Sequence, residues 1–186
     1  KIVNGQFISL GIALVAVILL LTLFFRSFTA GFISAVPLVL SMAILFGLMG
    51  FLNIELNVAT ALLSSIMIGV GIDYTIHFLW RYKEERENGL AYTEAAKRTL
   101  KTTGRGIIFN AFSVILGFIV LFMSSFVPVR FFGFLVVVSI FACLIGALVF
   151  IPALCLVIKP KFLEPKETVI KTDITEKKVL AQGVKS

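Results

Sequence analysis

Five apolar stretches alternate with polar gaps along the 186-residue chain. They cover residues 7–25, 30–52, 58–80, 106–126 and 131–158. Each reaches the roughly 17–25 residues that a helix needs to cross a hydrocarbon core of about 30 Å. The ten-residue alternating segments of a transmembrane barrel are absent from the sequence. The pattern predicts an all-α membrane protein, a polytopic bundle of five transmembrane helices. Pro37 and Pro152 fall inside stretches and predict kinks, tolerated where neighbouring helices resatisfy the freed carbonyls.

Composition agrees with the pattern. Hydrophobic residues make up 59% of the chain and charged residues 15%, a balance that the surface of a soluble domain does not tolerate. Cys143 and Cys155 share one stretch. Twelve helical residues separate them by about 18 Å, too far for a disulfide, so both read as small buried hydrophobes. The chain opens on Lys1, and its first stretch is too long for a secretory signal and lacks a small-residue cleavage site. The start reads as a cut through a larger protein.

The net charge of +7 sets direction rather than partner. No nucleic-acid motif accompanies it, and the basic residues fall in the gaps. Fifteen of the 17 lie on one side, in the first gap, the 81–105 gap and the tail; only Lys1 and Arg130 lie on the other. The positive-inside rule predicts a multi-pass protein of the cell membrane, with the N-terminus outside and the C-terminus in the cytoplasm. An odd number of spans with an outside start calls for an earlier helix. In the 81–105 gap the third helix can run on to Glu87, with Asn88-Gly89 ending it. Thr93 can cap a second, amphipathic helix to about Thr103, with Gly104 beyond its end. That elbow reads either as solvated charge or as a helix at the membrane surface. The tail, 161–186, is rich in Lys, Glu and Thr and is expected to be mobile.

Two ionisable residues stand out within the spans, Asp73 and His77, both in the third. An aspartate near the centre of a membrane helix costs about 2.5–3.5 kcal/mol to insert, so it is expected to face protein or water and to serve a function. Hydrocarbon surroundings favour the neutral carboxyl. A group that takes up a proton from one side and releases it to the other fits proton-coupled transport. No Lys or Arg lies in a span to hold the aspartate ionised, so its partner is expected to be polar and neutral, or to lie in other sequence. Tyr74 can donate a hydrogen bond beside the carboxyl. Ser65, Gly69 and Asp73 form an i, i+4 stripe, and Gly69 and Gly71 allow close helix packing. In the fourth span Asn110, Ser113 and Gly117 form a matching stripe. Counting from the cytoplasmic ends of the two spans puts Ser113 level with Asp73, as a local partner. The stripe also fits ordinary packing polarity, and His77 reads as an interfacial histidine or as a proton-entry residue. A metal site finds no second ligand, and Glu55 is expected in a short solvated outer loop.

The run Gly69-Val70-Gly71-Ile72-Asp73-Tyr74, with His77-Phe78 and Arg81-Tyr82-Lys83-Glu84-Glu85 after it, resembles the MmpL-type exporters of the resistance–nodulation–division (RND) superfamily. Phe24-Phe25-Arg26-Ser27, Phe46-Gly47-Leu48-Met49-Gly50, Thr102-Thr103-Gly104-Arg105 and Ile151-Pro152-Ala153-Leu154 fit in order and spacing. Sterol-sensing proteins of the Patched type share the Gly69-to-Asp73 feature. The resemblance implies the last five helices of one RND half, with Asp73 and Tyr74 as the proton-relay pair. It implies partners too: an N-terminal half, an external porter domain, membrane lipids and a hydrophobic or lipid substrate. Oligomerisation is left open. Protons are the only coupling species it calls for, with no cofactor. The function so implied is proton-driven export; the alternative is a lipid- or sterol-sensing module, or a protein-translocation auxiliary. An enzyme is not expected: intramembrane aspartyl proteolysis needs two carboxylates, and the spans carry one.

Overall fold

The computed structural model describes residues 2–54 and 58–164. Glu55 and most of the tail, with the expectations attached to them, lie outside the described residues. All regular structure among those residues is helical: α1 (Ile2–Phe25), α2 (Phe28–Phe51), α3 (Val58–Glu87), α4 (Tyr92–Thr99), α5 (Arg105–Ile119), α6 (Val127–Ile145) and α7 (Ile151–Ile158). Five continuous helical segments are long and apolar enough to span a membrane. Outward-facing side chains such as Leu23, Phe32 and Val157 are apolar and open, as suits helices solvated by lipid tails.

Helix α3 is the axis of the bundle, packed against α1, α2, α4 and α6. Leu63, Met67, Tyr74, Phe78 and Leu79 form its buried face. Small residues set the closest approaches. A Cβ on Gly71 would run into the side chain of Leu38 and lie 3.2 Å from Cys143 Sγ, so only glycine lets α3 nest between α2 and α6. Buried hydroxyls bond back to their own helices, which avoids unpaired polar groups in hydrocarbon. Ser41 donates to the Pro37 carbonyl at 2.7 Å, Thr75 to Gly71 at 2.8 Å and Ser139 to Leu135 at 2.6 Å.

Two wide π turns interrupt this regularity. The second, Gly146–Phe150, lies just before Pro152. Proline cannot donate to the carbonyl four residues earlier and crowds it. The wide turn takes up that misfit between α6 and α7. Gly146 in turn receives Pro37 of α2: a Cβ there would lie 2.8 Å from the Pro37 Cβ. Pro37 therefore packs on the wide turn that precedes Pro152.

The first π turn, Leu100–Gly104, changes the reading of the elbow. Asn88-Gly89 does end α3, with Gly89 in the left-handed region at φ 83°. Beyond that point the expected break at Gly104 is absent. Gly104 keeps right-handed helical angles, and α4, the π turn and α5 form one continuous helical rod. Gly104 lies close to Leu148 and Leu100, and this packing holds it helical. The expected cap is also displaced, since Thr93 lies inside α4 and Ala91 occupies the capping position.

The elbow end is closed by polar contacts. Tyr82 Oη donates to the Tyr92 carbonyl at 2.9 Å. The Arg86 guanidinium stacks 3.7 Å from the centre of the Tyr92 ring, and its Nε donates to the Leu163 carbonyl at 3.2 Å. It also donates to the Leu90 carbonyl. Glu85, fully buried, pairs with Arg81 at 2.6 Å and Arg98 at 3.4 Å. The chain after α7 folds back beneath this cluster, where Phe162 meets Phe25 of α1.

Candidate proton-relay site

Asp73 projects from the middle of α3 on the side away from the buried face. The carboxylate partner is on the same helix: His77 Nε2 lies 3.2 Å from Asp73 Oδ1. One turn of helix brings an i and an i+4 side chain together, so the spacing itself positions the pair. The two side chains are 54% and 64% exposed respectively, so this chain alone leaves both open.

The pair faces a cleft of about 270 Å³ lined by Asp73, Tyr74, His77, Thr103, Gly106, Ile107 and Asn110. Helix α5 and the π turn before it form the opposite wall. Gly106 and Asn110 are exposed there, so the wall is low and polar at this depth. The sequence reading did not single out Thr103, Gly106 or Ile107 as site residues. The wide turn brings them to the mouth of the cleft, and no local pattern announces it.

The other flagged residues have distinct places. Tyr74 borders the cleft but turns inward; its side chain is buried and its hydroxyl has no hydrogen-bond partner among the described residues. No hydrogen bond links it to Asp73. Ser113 lies beyond the cleft lining, and its hydroxyl donates to the Phe109 carbonyl of its own helix at 2.9 Å. Asn110, and not Ser113, lines the cleft with Asp73. Counting from the ends of the apolar stretches assumed that both spans end at one height, but α3 runs on to Glu87 and α5 continues from the elbow. Gly69 and Gly117 are exposed, and a Cβ on either would meet nothing within 4 Å. Gly71 is the glycine that packs within the bundle.

One polar band results: Ser65, Gly69, Asp73 and His77 on α3 beside Gly106, Asn110, Ser113 and Gly117 on α5, all exposed. The neighbouring outward faces are apolar. Among the described residues no three His, Cys, Asp or Glu side chains come close enough to hold a metal ion. Chemically, the pair can hold one proton between an imidazole nitrogen and a carboxylate oxygen, or take a second and become cationic.

Residues 4–173 match the model of the MMPL family. The chain is 28% identical to the membrane protein MJ1562 of Methanocaldococcus jannaschii over 91% of its own length and 44% of that protein's. It is 34% identical to YdgH of Bacillus subtilis over 58% of the chain and 13% of the relative. It is 31% identical to SCO6666 of Streptomyces coelicolor over 81% of the chain and 21% of the relative. Each is named as a membrane protein, without a stated activity. The chain thus spans less than half the length of these relatives. No solved structure matches it.

Proposed function

The chain belongs to the MMPL family, and from that premise we propose that it forms part of the membrane domain of a proton-driven exporter of lipids or other hydrophobic molecules. The observation that carries this reading is the Asp73–His77 pair at the middle of a membrane helix, in contact at 3.2 Å yet open. A half-exposed carboxylate at that depth cannot face lipid without a cost of about 2.5–3.5 kcal/mol. It calls for water or a second polar surface, and the relatives, longer than this chain, have the additional sequence to provide one. Intramembrane acids in such positions mark ion pathways.

In this reading His77, one turn nearer the elbow, receives a proton from the cytoplasmic side or releases one to it. The proton passes between Nε2 and Oδ1. The doubly protonated pair is cationic, the singly protonated pair neutral overall, so each step changes the charge that the facing surface must accommodate. That change is what biases the bundle between two packings. Tyr74 acts from behind as a positioning residue, and Asn110 offers its amide across the cleft. Substrate movement is assigned to other parts of the full-length protein.

The experiment is transport by the full-length protein in proteoliposomes with an imposed proton gradient. Asp73→Asn is expected to abolish gradient-dependent flux while insertion and folding persist. Undiminished flux in that variant would refute the reading. A protein that binds lipid tightly but shows no gradient-dependent flux in its unaltered form would support a sensing module instead.

A further inference from the structure

A second cleft, of about 460 Å³, opens at the end of the bundle opposite the elbow. Its volume falls in the range of small-molecule sites, about 300–1,000 Å³. Leu52 after α2, Phe122 in the turn after α5, and Val127, Arg130, Phe131 and Phe134 of α6 line it. Its walls are fixed by packing. Phe122 and Phe134 lie 6.4 Å apart between ring centres, and Gly133 lets α6 approach the turn so closely that a Cβ would lie 2.7 Å from Leu121 Cβ.

Arg130 makes this cleft different from ordinary lipid-facing surface. It is the sole charged side chain at that end among the described residues. No ion pair or side-chain hydrogen bond with another described residue engages it. It stands in the first turn of α6, where a cation adds to the positive end of the helix dipole instead of offsetting it. A guanidinium so placed, beside an aromatic trough, complements an anion that carries a hydrocarbon chain. The groove between α1 and α2, about 520 Å³, makes the contrast: Leu14, Ile18, Phe32 and Val39 are among its entirely apolar lining. Nothing there distinguishes a ligand from bulk lipid.

We propose that the Arg130 cleft holds an anionic phospholipid from the adjacent leaflet. The guanidinium takes the phosphate through paired N–H donors, and one acyl chain lies along Phe122, Phe131 and Phe134. The second chain remains in the bilayer. The proposal does not depend on proton coupling at Asp73.

The test needs a reporter local to this end, because the basic elbow also attracts anionic lipid. In the full-length protein, Trp80→Phe removes the sole tryptophan of this segment, and Phe131→Trp places one in the cleft; other tryptophans of the full-length chain are likewise replaced. Brominated phosphatidylglycerol in phosphatidylcholine vesicles should quench this reporter several-fold more than brominated phosphatidylcholine at equal content. Adding Arg130→Gln should remove the preference, and Arg130→Lys should keep part of it. Soluble glycerol phosphate should not compete, which separates a bound lipid from a free phosphate site. Native mass spectrometry of the protein without the tryptophan changes should show one fewer retained phosphatidylglycerol for Arg130→Gln. Equal quenching by the two lipids, or a preference that survives Arg130→Gln, would overturn the proposal. The Asp73→Asn variant should keep the lipid preference, so failure here and failure of the proton reading are distinct results.

Discussion

Two of the acids on helix α3, Asp73 and Glu85, have opposite fates. Glu85, at the elbow end, is 1% exposed and held by Arg81 and Arg98. Asp73, in the middle of the helix, is 54% exposed, and among the described residues its ion-pair partner is His77. The chain seals one acid at the elbow end and leaves open the one in the middle of the helix. A carboxylate enclosed between two guanidinium groups serves architecture. A carboxylate with one side-chain partner and an open side is left accessible to a further surface. Polarity alone does not separate the two roles; the completeness of the surrounding contacts does.

The sharpest way to break this contrast is to disturb the open acid and the sealed elbow in turn. Asp73→Asn should lower gradient-driven flux by more than about tenfold, equivalent to about 1.4 kcal/mol or more of lost coupling, with little change in thermal unfolding of the purified protein. Arg86→Ala should do the reverse. It deprives the Leu163 and Leu90 carbonyls of their donor and uncovers Tyr92, for a loss on the order of 2–3 kcal/mol. Circular-dichroism melts should register that loss, while flux per folded molecule persists. Two glycines sharpen the comparison between packed and open faces. Gly71→Ala meets Leu38 and Cys143 and should cost about 1–3 kcal/mol, whereas Gly69→Ala meets nothing and should leave this segment's unfolding unchanged. The smallest effect should come from Lys97→Ala. Its pair with Glu94 at 3.0 Å is exposed, and such pairs are worth about 0.3–0.5 kcal/mol. A melt shifted as far by Lys97→Ala as by Arg86→Ala would erase the distinction between sealed and solvated charge.

Hydropathy was enough to find the five spans, because a membrane helix must be apolar along most of its length. The end of α3 was legible for a local reason, a glycine free to adopt a left-handed turn after Glu87. Asp73 and His77 were legible as residues, and their i, i+4 spacing already implied contact. Reading each by its depth alone hid the pair. Gly104 misled because glycine usually stops a helix, and only packing from Leu148, 44 residues away, shows why it does not here. Arg86 looked like one more solvated basic residue of the elbow. Its burial depends on Leu163, 77 residues later in the chain, which no local window contains. Ser113 was placed by counting from span ends, but α3 runs on to Glu87 and α5 continues from the elbow, so the two helices share no common end from which to count.

The wide turn after α4 ties two distant places together. The elbow and the fourth span are a single rod with no hinge of loop residues between them, and the rod carries one surplus residue at Leu100–Gly104. Drawing that residue back into ordinary winding would rotate everything beyond it by about 100°. The amide of Asn110 would swing off the cleft like a key turned in a lock. The basic elbow and the wall of the cleft that faces Asp73 therefore belong to one helical rod.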